Sequence, residues 1–124
     1  MVAPKITQKF SSAEDSPDKT TITNFYLNEA EFDLLRTLGG SQVRKKRYQY
    51  ATNASQLVID VLEDVLDGLI LAEVECQDDQ SMSAFEQPAF AVAEVTAVDF
   101  FTVGNLAGVE SADLKIELAK WLDK

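Results

Sequence analysis

Lys45 and Arg47 stand two residues apart, and so do Glu73 and Glu75. Successive side chains of an extended strand alternate between its faces, so each pair projects from one side of its strand. Paired cations of this kind grip phosphate oxygens, the arginine through a bidentate contact. Paired carboxylates with Cβ atoms roughly 7 Å apart hold a divalent cation directly or through its waters. Asp60, on the face away from Leu57, Ile59 and Val61, is a third carboxylate for such a cation. Lys9, which shares a strand face with Lys5 and Thr7, is a third cation for phosphate. The same residues have a plainer reading as cross-strand salt bridges on a solvated sheet face, each contributing about 0.2–1 kcal/mol. Residue types alone leave both open.

What the sequence excludes is sharper. The 124 residues contain no histidine, which removes every Ser-His-Asp or Cys-His nucleophile, every His-ligated zinc and every imidazole acid–base catalyst. Any metal is therefore expected to be hard and oxygen-bound, Mg2+ or Mn2+. Eleven basic and 21 acidic residues give a net charge of −10, which argues against nucleic acid as the main partner. The charge is segregated. Residues 1–62 hold 8 basic and 7 acidic side chains, and residues 63–124 hold 3 and 14. Cys76 stands alone, so no internal disulfide forms and a reducing, cytoplasmic location is expected. No apolar run reaches the roughly 18 residues of a membrane span, and the N-terminus lacks a signal peptide's apolar core. A single domain over residues 1–124 follows from the length.

Five strands must position these residues. Lys5 to Phe10 reads as a strand, Ser11 to Asp18 as a polar loop, and Thr20 to Leu27 as a second strand rich in Thr, Ile, Phe and Tyr. Asn28 is a good N-cap for a helix carrying Phe32, Leu35 and Leu38, which Gly39-Gly40 stops. Val43 to Tyr50 and Leu57 to Leu62 are the next strands. The latter pairs as a hairpin with Gly68 to Glu75 across the loop Glu63 to Asp67. Asp78 to Phe85 suits a short helix ended before Pro88. The conformation of residues 86–109 is left unassigned. Glu110 to Leu122 is a final helix, capped by Ser111 and packing Leu114, Leu118, Trp121 and Leu122 on the sheet. The resulting expectation is an α+β fold whose antiparallel sheet has one apolar face under helices and one face studded with charges of both signs.

The stretch "LVIDVLEDVLDGLILAEVE" (Leu57 to Glu75) resembles the strand–loop–strand of the CYTH superfamily, the triphosphate tunnel metalloenzymes. There an aspartate-bearing strand leads through an acidic loop into a strand ending in a Glu-x-Glu pair. "VRKKRYQY" (Val43 to Tyr50) resembles the family's basic strand, and "ITNFYLNEAEFDLLRTL" (Ile22 to Leu38) its strand into an acidic helix. "FEQPAFAVAEVTAVDFFTVGNLA" (Phe85 to Ala107) is similar to the closing segment of bacterial members. The likeness covers Lys5 to Ala107. It departs from the family in lacking the signature acidic-x-acidic-x-Lys strand and the arginine-bearing strands after it.

The resemblance implies a partial CYTH-like tunnel, or half-barrel, of antiparallel strands with helices packed outside. Lys9, Lys45 and Arg47 would hold phosphates, Glu73 and Glu75 would hold the metal, and Asp60 would assist it. The expected function is binding of a triphosphate or polyphosphate with Mg2+ or Mn2+. Any catalysis would be metal-dependent triphosphatase chemistry, because phosphoryl transfer needs positioning and charge neutralisation more than a reactive side chain. The alternative is a non-catalytic half-tunnel that forms a homodimer, completing its sheet, or pairs with a separate partner. Neither reading involves a membrane or nucleic acid.

Overall fold

Alternating Thr, Ile and Phe side chains draw Lys5–Phe10 (β1) and Thr21–Tyr26 (β2) into an antiparallel pair, with Lys5 opposite Tyr26 and Phe10 opposite Thr21. In this computed structural model residues 3–11, 20–52, 55–76 and 78–122 are described. They form two compact units, Met1–Ser41 and Gln42–Lys124. The polar loop expected over Ser11 to Asp18 lies almost wholly outside the described residues. In the N-terminal unit, Glu29–Leu35 (α1) follows β2. The Asn28 side chain accepts from the Glu31 amide at 2.8 Å, and Glu31 accepts from the Asn28 amide at 2.9 Å. This reciprocal pair satisfies two amides that a helix start would otherwise leave bare. The helix ends at Leu35, well before Gly39-Gly40, because the Thr37 and Leu38 amides turn back to Leu34 and Leu35.

The larger unit carries a three-stranded antiparallel sheet in chain order: Lys45–Ala51 (β3), Gln56–Leu62 (β4) and Ile70–Val74 (β5). Thr52 and Ser55 close the first hairpin through backbone and side-chain hydrogen bonds of 2.8–3.1 Å. The second hairpin turns through a 3₁₀ turn at Asp64–Leu66, with Asp64 at φ 58° and Gly68 at φ 101°. That second value is one a side chain tolerates poorly, so the turn needs its glycine. Asp79–Ala84 (α2) is capped by Asp78, whose carboxylate accepts from the Ser81 amide at 2.7 Å. Those hydrogen bonds hold the Asp78 carboxyl below the usual carboxylate range. Residues 86–109 add no strand. They carry a 3₁₀ turn at Asp99–Phe101 that passes into a single helical turn, Val103–Leu106 (α3). Ser111–Leu122 (α4) closes the unit, with Ser111 as its first residue and not the cap.

The fold is thus α+β with two small antiparallel sheets, and among the described residues no sheet closes into a barrel. The core consists of Leu62, Leu66, Leu69, Phe101, Leu106 and Leu114, with Val95, Val98, Phe100, Leu118 and Trp121 packed around it. Phe101 sits edge-on to both Phe100 and Trp121, with centroids 5.1 and 6.5 Å away. This core corrects the expected division of the sheet into a helix-covered apolar face and a separate charged face. Leu62 opposes Lys45, and Leu62 and Leu69 are joined across the second hairpin, so both leucines project with Lys45, Arg47 and Asp60. The helices therefore cover one end of the charged face. The reason is local: Leu66, on the hairpin turn, is buried against Leu114 and draws α4 to that end. On the opposite face Leu57 is almost completely buried and Ile59 and Val61 are half-buried, as expected of an apolar side, while Tyr48, Tyr50 and Ile70 stay exposed and Phe90 stands edge-on to Tyr50 at 5.8 Å.

Replacing Leu114, which is almost completely buried, by alanine is expected to cost about 2–5 kcal/mol, the transfer term plus an unfilled cavity. A fall in urea midpoint at unchanged slope measures it.

Candidate functional site

Among the described residues Asp60 is the one buried charge: 1% of it is exposed. Its place follows from the hairpin register. With Ala51 opposite Gln56 at the turn, counting back along both strands sets Arg47 directly across from Asp60. Lys45, two residues before Arg47, joins them on the same face. Arg47 meets the carboxylate as a fork, Nε donating to Oδ1 at 2.8 Å and Nη2 donating to Oδ2 at 2.9 Å. Lys45 Nζ reaches Oδ2 at 2.9 Å. Both carboxylate oxygens are therefore engaged by cations.

The electrostatics follow from these contacts. The Arg47 hydrogen bonds hold the Asp60 carboxyl below its ordinary range, against the opposing effect of burial, and Lys45 adds to the depression. Arg47 is raised above its ordinary value, chiefly by its hydrogen bonds to Asp60, then by the charges of Asp60 and Glu73. The cluster is not sealed. The Lys45 side chain is 27% exposed and that of Arg47 is 50% exposed. A guanidinium has five N–H donors, and the rest of Arg47's make no hydrogen bond among the described residues. Two cations against one buried carboxylate leave one positive charge over, moderated by Glu73.

Glu73 opposes Val58 on β4 and so projects on the Asp60 side of the sheet. Glu75, one residue beyond the end of β5, is exposed, as is Glu73. Four of the sequence-derived candidates, Lys45, Arg47, Asp60 and Glu73, thus share one face. Lys9 lies on β1 in the N-terminal unit, opposite Ile22, and is exposed. Among the described residues no three His, Cys, Asp or Glu side chains converge as a metal-binding group. Arg44 falls outside the cluster and pairs loosely with Asp64 at 3.7 Å, both well exposed.

For Lys45, Arg47 and Asp60 the structure shows the plainer of the two readings, cross-strand ion pairs, with Asp60 buried as the common partner of both cations. The signal was present in the turn, since fixing Ala51 opposite Gln56 already pairs Arg47 with Asp60.

No protein-family model matches the chain, and no curated protein or solved structure matches it either. Among the described residues no helix is long and apolar enough to cross a membrane.

Proposed function

We propose that this chain binds a triphosphate or polyphosphate on the Lys45–Arg47 face, as a CYTH-like binding module. The observation that supports this reading is the Asp60 fork. It fixes two cations side by side, leaves donors of Arg47 without a hydrogen bond among the described residues and keeps half of that side chain in solvent. A phosphate oxygen is the ligand that suits a half-exposed, pre-oriented guanidinium. Glu73 and Glu75 supply hard oxygen donors for Mg2+ or Mn2+, with phosphate oxygens and water completing the shell. Asp60 suits that role poorly, because both its oxygens already accept hydrogen bonds from cations.

A calorimetric titration with tripolyphosphate, with and without magnesium, tests the reading, and assayed phosphate release separates hydrolysis from binding. Arg47→Ala is expected to weaken binding by about 1.5–3 kcal/mol, the scale of lost charge-assisted hydrogen bonds. Absence of heat for the native chain at millimolar tripolyphosphate contradicts the proposal.

A second reading is a half-tunnel that completes its sheet with a second copy or a separate partner. It draws on the three-stranded sheet, whose outer strands β3 and β5 pair only with β4 among the described residues. Outer strands carry unpaired backbone groups that another chain can satisfy.

A further inference from the structure

The side of the larger sheet turned away from Asp60 is built of three cross-strand rows: Lys46–Val61–Ile70, Tyr48–Ile59–Ala72 and Tyr50–Leu57–Val74. None of these residues is acidic, and Lys46 is the one charge among them. Lys46 is exposed and forms no ion pair among the described residues. Tyr48 and Tyr50 are each half-exposed. Phe90 stands against Tyr50 with the two ring planes 86° apart and the centroids 5.8 Å apart. That contact backs the Tyr50 ring, whereas Tyr48 has no ring partner among the described residues. In the row of Tyr48, Ile59 is half-buried and Ala72 is small, so the floor beside that tyrosine is low and apolar.

We propose that this face binds a small planar aromatic anion of the nucleoside monophosphate kind, its ring against Tyr48 and Tyr50 and its anionic group at Lys46. The size of the face argues for a small occupant. Three strands about 4.8 Å apart, with about 3.3 Å per residue over five residues, offer roughly 200 Å². A stable protein interface takes about 800 Å² from each partner. Two copies packed face to face would also confine two Lys46 side chains with no carboxylate on these rows. An aromatic ring suits exposed tyrosines through offset or edge-on stacking, and a nucleobase stacks on such side chains whatever its sequence. Residues two apart on a strand stand about 7 Å apart, a distance that a ribose spans between base and phosphate. Lys46 supplies the point charge at that distance from Tyr48. The net charge of −10 opposes an anion only weakly here, because exposed charges more than about 10 Å away are largely screened at about 0.1 M salt. The site lies on the other side of the sheet from Lys45, Arg47 and Asp60 and uses neither cation that Asp60 holds.

NMR titration of the full chain with adenosine monophosphate, beside adenosine alone, tests this. Intermolecular nuclear Overhauser contacts are expected between the adenine protons and the Tyr48 and Tyr50 rings. The nucleotide is expected to bind about threefold to fivefold more tightly than adenosine, the scale of one exposed ion contact, and Lys46→Gln is expected to abolish that preference. Tyr48→Ala, with native circular dichroism, is expected to weaken nucleotide binding at least about fivefold, the low end for a base stacked on an aromatic ring. Tyr48→Phe keeps the ring and is expected to stay within about twofold of native. A nucleotide that stays bound when magnesium tripolyphosphate is added supports a site separate from the Lys45–Arg47 face. Displacement by tripolyphosphate overturns this inference and leaves the proposed function standing. Absence of nucleotide binding at millimolar concentration, ring contacts to other residues only, or equal affinity of the native chain and Tyr48→Ala also overturns it.

Discussion

Asp60→Ala is expected to lower stability by about 2–3 kcal/mol in a urea titration. Breaking a buried ion pair by deleting one partner typically costs about 3–5 kcal/mol, because the other charge is stranded without compensation. Here the stranded charges are Lys45 and Arg47, whose side chains are 27% and 50% exposed. Water recovers part of their loss, so the lower figure applies. Asp60→Asn is expected to fall in the same range despite its matching shape, since its amide group would direct N–H donors at N–H donors. Arg44→Ala provides the contrast. Its 3.7 Å pair with Asp64 is solvated on both sides, and exposed pairs contribute little that can be measured. Equal effects of the Asp60 and Arg44 replacements would show that the cluster is ordinary surface.

The second large effect is a loss of stability in acid that depends on Asp60. The carboxyl of Asp60 is lowered in the folded chain, against about 3.9 for an unperturbed aspartate. A depressed group binds its proton more readily when unfolded, so its contribution is complete above about pH 4 and fades as pH falls through the folded value. Urea midpoints taken from pH 7 to pH 2 should therefore bring the native chain and Asp60→Asn together at the acid end. Asp78 and Glu117 are lowered as well, Glu117 chiefly by its hydrogen bond with Lys120. Both are present in the two proteins, so their titration cancels in the difference. Arg47 is raised and stays charged throughout this window. A gap between the two chains that is constant down to pH 2 would mean that the carboxylate is not held by its cations.

The local rules carried most of the secondary structure. All five strands, the Asn28 cap and the hairpin across Glu63 to Asp67 fall where β-branched alternation, capping chemistry and turn residues put them. Residues 86–109 did not yield, because Phe101 is buried, and Val95 and Val98 are half-buried, by packing around Leu62 and Leu114 and not by any period of their own. The face that the core covers was misjudged for a related reason. Alternation along β4 puts Leu62 on the side of Asp60, but only the burial of Leu66 on the turn brings α4 to that end. At the candidate site, period two was enough to put Lys45 with Arg47 along β3 and Glu73 with Glu75 along the β5 segment, but setting the two strands' charges on one side took the pairing with β4. The partnership of Asp60 with both cations needed the register between strands, which no single strand contains.

Side-by-side calorimetric titrations of the native chain, Arg47→Ala and Arg44→Ala with magnesium tripolyphosphate test most directly whether the face built around Asp60 holds phosphate. Arg47→Ala, with its fold checked by circular dichroism, is expected to bind at least about tenfold more weakly than the native chain, in keeping with a loss of about 1.4 kcal/mol or more. Arg44→Ala should bind within about twofold of native, since a solvated rim charge adds little. Equal affinities for the native chain and Arg47→Ala, or a larger loss in Arg44→Ala, would contradict it.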